Sequence, residues 1–298
     1  MIEDRRTAWS GTLFALLSFL IWGFLPLYWK GLGGVPAIEM LAHRVFWAGA
    51  VLIVVVPLFQ WRELRVAFRD RPALLAATLA GLLLAANWFI YIWAISVDRL
   101  VEASLGYYIN PLVNVLLGVV FLRERLTRLQ TVALAFAAAG VLVLTFSHGQ
   151  FPWISIALGF SFGIYGLVKK VGRLNSLVSL LVELLLVAPV AGIYILIIQR
   201  AGQGSFAVGN GLVTGLLAGA GIVTVTPLLL FGAGARRIPL SRVGFLQYVA
   251  PTIILLIGTV LYDEPFTRVH AVSFTLIWVA LAIYTVTIVP VRGGSREK

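Results

Sequence analysis

The sequence has no cysteine, two methionines and three histidines in 298 residues, and only 12% of it is charged. Without cysteine there are no disulfides, no thiol catalysis and no thiolate metal site. His43, His148 and His270 are too scattered for a metal-ligand motif, and only His43 lies well inside an apolar run. There is no G-x-x-x-x-G-K-[ST], so no phosphate-cradling loop marks a nucleotide motor. Long polar stretches are missing too. The longest connections between apolar runs are 60–71 and 199–210, too short for a soluble domain. No activated nucleophile with a partnered base stands out, so an enzyme is not expected. Function has to reside in the apolar runs themselves.

Those runs dominate. The chain is 60% hydrophobic, whereas soluble domains are about half apolar and a quarter charged. A spanning helix needs about 20 mostly apolar residues. Ten runs qualify: 10–30, 37–59, 72–95, 102–122, 128–146, 152–171, 176–198, 211–233, 239–261 and 268–289. They are too long, and not alternating enough, for barrel strands. The first exceeds a signal-peptide core and lacks a good cleavage site after it, so it is expected to remain as a span. An all-α integral membrane protein follows, with the lipid bilayer as its surroundings.

The net charge of +11 has a topological explanation. With the N-terminus in the cytoplasm, eighteen Lys and Arg fall on the inner side. Four (Lys30, Arg99, Arg200, Arg268) fall on the outer side, and Arg44 lies within a span. That is the positive-inside bias, and it places both termini in the cytoplasm. The arginines are spread thinly over every inner connection, so nucleic acid is not an expected partner.

The chain is also written twice. At an offset of 140, positions 108–132 match 248–272 at nine residues: Tyr108, Pro111, Leu116, Gly118, Val120, Glu124, Thr127, Arg128 and Val132 recur without a gap. Gly23, Lys30 and Thr145 have counterparts in Gly163, Lys170 and Thr285. The halves run from about 7–147 and 148–288, five spans each. Five is odd, so the second half enters the membrane from the opposite face. Inverted repeats of this kind are a common plan for secondary transporters, with the substrate site near the midplane at the repeat interface. A passive channel or scramblase-like protein is the alternative class.

Four stretches carry a family resemblance: AHR at 42–44, NWFIYIWA at 87–94, EASLGYYINPLVNVLLGVVFLRERL at 102–126 and QYVAPT at 247–252. With these the whole chain resembles the RarD-type permeases of the EamA family, in the drug/metabolite transporter superfamily. The resemblance implies ten helices in two repeats, cytoplasmic termini, a bacterial inner-membrane location, and a small metabolite or drug as substrate. It implies no cofactor and no obligate protein partner.

Polar side chains inside spans are expected to face protein or a wet cavity, since lipid leaves them unsatisfied. On that ground Trp22, Asn87, Trp88, Tyr91, Tyr107, Tyr108, Asn110, Gln247 and Tyr248 form the expected substrate-binding wall. Asn87 and Tyr91 are four apart, and Tyr107, Asn110 and Asn114 follow an i, i+3, i+7 stripe. The repeat sets Tyr107 opposite Gln247 and Tyr108 opposite Tyr248. Pro111 and Pro251 each free a carbonyl four residues back, so matched helix breaks are expected beside the site. His43 and Glu183 are also 140 apart, which makes them the expected coupling pair, with protons as the coupling ion. Arg44 is expected to hold an acid such as Glu102 in a gating role. Gly159 with Gly163, and Gly211 with Gly215 and Gly219, form small-residue stripes suited to helix packing.

Overall fold

The structure, a computed structural model, describes residues 2–97, 99–147, 149, 151–208, 210–263 and 266–288. His148, Glu264 and the C-terminal Arg292, Arg296 and Lys298 lie outside the described residues. The described residues form eleven helices and no strand. They are α1 (Ile2–Lys30), α2 (Ala37–Ala67), α3 (Arg71–Ser96), α4 (Leu100–Phe121), α5 (Arg128–Ser147), α6 (Trp153–Val171), α7 (Ser176–Arg200), α8 (Gly211–Ala235), α9 (Leu240–Gln247), α10 (Val249–Leu261) and α11 (Arg268–Ile288). α9 and α10 together make one span, so ten segments are long and apolar enough to cross a bilayer.

Local chemistry sets the ends. Pro36, Pro152 and Pro239 stand immediately before α2, α6 and α9, where a missing N–H costs nothing. Asn175 accepts from the Val178 N–H, and Asn210 from the Leu212 and Val213 N–H groups, capping α7 and α8. The connections are short, so neighbours in sequence run antiparallel. One face of the bundle carries the described residues 31–36, 97, 99, 149, 151, 152, 201–208, 210, 262, 263, 266 and 267. The other carries 68–70, 122–127, 172–175 and 236–239. The second is the arginine-rich face.

Two elements differ from the sequence reading. The connection 60–71 is mostly helix: α2 bends at Gln60 (φ −138°, ψ 37°), three residues after Pro57, and continues to Ala67. Leu64 and Ala67 bury one side of that extra turn, which is why the chain stays helical outside the apolar run. The expected pair of matched proline breaks is also absent. The ninth span is interrupted at Tyr248, whose N–H turns back to the Phe245 carbonyl, but α4 runs unbroken through Pro111.

Shifted by 140, the bounds of α7, α8, α9 with α10, and α11 fall within a few residues of those of α2, α3, α4 and α5, apart from the extra turns of α2. Two backbone singularities coincide as well. Arg123 and Asp263, both non-glycine residues in the left-handed region, have φ 54° and 52°. Packing follows the same rule. α4 lies on α6 and α1 on α9 and α10; α3 lies on α6 and α1 on α8; α3 lies on α7 and α2 on α8. α2 pairs with α7, and α5 with α11. Most close contacts therefore join one half to the other, so neither half forms a core alone. The periphery is apolar: Phe59, Phe146, Leu58 and Val260 are each more than 70% uncovered, as a lipid-facing belt requires.

Glu124 links the two halves at the arginine-rich face. After the left-handed turn at Arg123, its N–H returns to the Gly118 carbonyl. Its carboxylate accepts from the Leu240 N–H at 2.7 Å and the Ser241 N–H at 2.9 Å. The carboxylate thus caps α9, more than a hundred residues away. Charge on free N–H groups at a helix start is favourable. Glu124→Ala is expected to lower stability by about 2 kcal/mol, read as a lowered thermal midpoint in detergent. Glu124→Gln, which keeps one acceptor, should fall between.

Candidate functional site

The expected wall residues divide into two groups. The first is accessible. Tyr107, about 10 Å along α4 from its start (1.5 Å rise per residue), is 45% uncovered. Its ring packs edge-on against that of Tyr91 on α3, with ring centroids 6.1 Å apart. Arg44 on α2 lies close enough to interact with both tyrosines. Its guanidinium sits 5.0 Å from the Trp88 ring and 5.5 Å from the Trp29 ring. Side chains from α1, α2, α3 and α4 thus converge near the arginine-poor face. Yet α1 packs closely on neither α3 nor α4, and α2 on α3 and α3 on α4 only lightly. The side chains meet between helices that touch one another only lightly.

The second group is closed. Asn114 Nδ2 donates to Asn110 Oδ1 at 3.1 Å and to Gln247 Oε1 at 2.7 Å, all three buried between α4 and α9. The repeat-related tyrosines meet as expected: the Tyr248 hydroxyl donates to the Tyr108 carbonyl at 3.3 Å. Tyr108 also packs edge-on against Phe274. Pro111 lies beside them, its carbonyl so near Gly244 that a Cβ there would stand 2.5 Å away. Pro251 follows the interruption at Tyr248. The Tyr107–Gln247 meeting is replaced by Gln247 with Asn114 and Tyr107 with Tyr91. Asn87 turns out to be a helix fastener, donating to the Leu158 carbonyl at 3.0 Å and Ser161 Oγ at 2.9 Å on α6.

Trp22 belongs to a plug of rings. It lies 5.7 Å from Phe162 and 5.7 Å from Phe231, with Phe19 and Tyr165 packed on the same cluster. Under the 140 shift, Trp22 corresponds to Phe162 and Tyr91 to Phe231. The plug thus holds the related pair Trp22 and Phe162 together, and its Phe231 is the counterpart of Tyr91.

The titratable pair is separate. Glu183 is fully buried and accepts from Lys169 Nζ at 2.6 Å, Ser179 Oγ at 2.5 Å and the Tyr165 hydroxyl at 3.2 Å. Lys169 is itself only 4% uncovered. Next to it, Lys170 Nζ donates to the carbonyls of Ala235 and Ile238 at 3.2 and 2.6 Å, tying α6 to the end of α8. His43 sits near the other face. Its Nδ1 accepts from Trp47 Nε1 at 3.2 Å, and its ring stacks on Phe206. Glu39, four residues earlier, is 3.9 Å from Nε2 and accepts from the N–H and hydroxyl of Ser205. Arg44 does not hold Glu102, which is bound by Arg99, Nε to Oε1 at 2.6 Å.

Lys169, Glu39 and Trp29 were missed in the sequence. Lys169 reads as an inner-loop cation and Trp29 as an interfacial ring. Glu39 stands i, i+4 from His43, a spacing that could have exposed it. Among the described residues no group of three or more His, Asp or Glu could hold a metal ion. A wide depression of about 560 Å³ among Arg69, Asp70, Arg71 and Arg173 lies at the arginine-rich surface, away from these groups.

Residues 9–146 match the EamA-like transporter family. The chain is 45% identical over 296 residues to the Bacillus subtilis (strain 168) protein named uncharacterized transporter YojE, covering 97% of each. It is 39% identical over 282 residues to protein RarD of Escherichia coli (strain K12), covering 94% of this chain and 95% of that one. It is 30% identical over 283 residues to the chloramphenicol-sensitive protein RarD of Pseudomonas aeruginosa, covering 93% and 94%. A crystal structure of a protein of 22% sequence identity shares the fold, with a TM-score of 0.70 over 93% of this chain and 98% of that one.

Proposed function

The chain belongs to the EamA-like transporter family, in its RarD-type branch, and from that premise we propose that it is a secondary transporter moving a small metabolite or drug by alternating access. It is an integral membrane protein. The proposed setting is the bacterial inner membrane, with both termini cytoplasmic and the arginine-rich face inside. The halves 7–147 and 148–288 act as inverted repeats. Two similar halves facing opposite ways have two similar packings, one open to each side.

The observation that supports this reading is the convergence of Arg44, Trp88, Tyr91 and Tyr107 from α2, α3 and α4 near the arginine-poor face. Around these four residues the helices touch only lightly, and Tyr107 is 45% uncovered. Around Trp22, Phe162 and Phe231 they are filled by rings, with the Lys169–Glu183 pair buried toward the arginine-rich face. The proposed state is one open toward the arginine-poor face. Trp22 is the floor of that opening, and the Asn110–Asn114–Gln247 network parts or slides when the bundle rocks. Glu183 and His43 are the proposed proton-linked positions, each in the second span of its half.

The test uses the purified full chain in proteoliposomes, with a panel of labelled amino acids and amphiphilic aromatic compounds. Saturable uptake of an intact solute is expected, with a loss of about tenfold or more for the Tyr107→Ala, Gln247→Ala double variant. Non-saturable flux would favour a channel or scramblase, and a changed solute mass an enzyme. Topology is checked on the same material. A cysteine introduced at Gly149 should label from outside, and a reporter after Lys298 should read inside.

A further inference from the structure

We propose that Arg44 is an anion-recognition point, and that the opening beside it takes a solute bearing one carboxylate on a planar apolar body. The inference rests on the transporter reading only in calling the bound molecule cargo.

The argument starts from missing charge. A cation drawn out of water is normally paired, and most other charges in the spans have a partner. Glu183 holds Lys169, Glu102 holds Arg99, and Glu39 is bonded to Ser205 beside His43. Lys30 lies over the Tyr262 ring at 3.4 Å. Within the described spans, Arg44 and Arg242 each have a buried Nε with no partner and no carboxylate within 4.0 Å; Arg242 lies two residues into α9 at the arginine-rich face, whereas Arg44 lies seven residues into α2, between two indole rings. Trp88 and Trp29 take part of its desolvation cost through their ring faces, but a ring offers no acceptor for the guanidinium N–H groups.

The surroundings define what would fit. A guanidinium binds carboxylate through two parallel N–H bonds. Tyr91 lies one turn beyond Trp88 on α3 and packs against Tyr107, so two phenols near Arg44 can donate to the same anion. Tyr107 is nearly half uncovered, so a ligand reaches the group without unpacking the core. Trp88 and Tyr107 supply flat apolar area for an aromatic body. A single positive charge matches a single negative one, so a monocarboxylate suits the site better than a phosphate dianion.

Binding to the full chain in nanodiscs tests this, followed by tryptophan fluorescence and thermal shift. The probes are 3-phenylpropionate, its neutral amide 3-phenylpropionamide, and inorganic phosphate. The acid should bind at least about tenfold more tightly than the amide, and phosphate should bind weakest. Arg44→Gln should bring the acid-to-amide ratio to about one, and Arg44→Lys should retain part of it. Equal binding of acid and amide to the unaltered protein overturns the proposal, whether or not the variants fold. So does an unchanged ratio in Arg44→Gln, or no saturable binding of the acid. Arg44-dependent binding without transport would leave the anion site standing and remove the transport reading. Transport of acid and amide at equal rates would do the reverse.

Discussion

Glu183→Gln is expected to cost about 3–5 kcal/mol of stability, because it leaves Lys169 charged, buried and uncompensated. Glutamine is nearly the same shape. Its oxygen can still take the bonds from Lys169 and Ser179, and its amide can meet the Tyr165 hydroxyl, so charge is the main change. Lys169→Met should cost a similar amount by stranding the carboxylate. The double variant Lys169→Met, Glu183→Leu should recover most of the loss, since apolar replacement of a buried pair is often neutral or stabilising. Thermal unfolding in one detergent gives all three values. Transport separates structure from coupling. If Glu183 carries the proton, Glu183→Gln loses the pH dependence of uptake, and the double variant regains stability without regaining that dependence. Retention of the full pH profile in Glu183→Gln would remove Glu183 from coupling.

Two glycines, 140 positions apart, should be nearly as sensitive. A Cβ on Gly221 would stand 2.4 Å from the Trp47 carbonyl carbon and 2.7 Å from the Ala48 nitrogen. A Cβ on Gly81 would stand 2.8 Å from the Glu183 carbonyl oxygen and 2.9 Å from its Cα. These are backbone atoms, so no rotamer change relieves the clash; α8 must move off α2, or α3 off α7. Gly221→Ala and Gly81→Ala are each expected to cost about 3 kcal/mol, at the upper end for an overpacked core. Gly215→Ala, on the same helix as Gly221, meets nothing within 4 Å. It should be neutral, or stabilising by up to about 1 kcal/mol from helix propensity. The thermal midpoints of the three variants decide the matter. A midpoint for Gly221→Ala equal to that of Gly215→Ala would mean the helices do not approach this closely.

The glycines also show how far a pattern reads. Gly159 and Gly163 do pack, against Ile109 and Val113 of α4. The stripe at 211, 215 and 219 promised a similar face on α8, but Gly211 and Gly215 have nothing beside them. The close approach is at Gly221. Spacing shows that a helix has a smooth side; it does not show which side meets a neighbour. The polar stripe on α4 behaves alike. Tyr107, Asn110 and Asn114 share one face by spacing, yet the first turns to Tyr91 and Arg44 while the other two close on Gln247.

The sequence by itself determined the ten spans, the doubling at an offset of 140 and the bias of cations to one side. These are properties that lipid and water test along the chain, one segment at a time: apolar length, identity at a fixed offset, and charge between segments. Only the tertiary structure decided which polar groups share a site. Glu183 is satisfied by Lys169, fourteen residues away on a different helix, and Gln247 by Asn114, 133 residues away. Arg44 is given two ring faces and two tyrosines, and no carboxylate among the described residues. Such pairings depend on how each helix is rotated and which helix it lies against. That is settled by packing over the whole bundle and leaves no mark in local spacing.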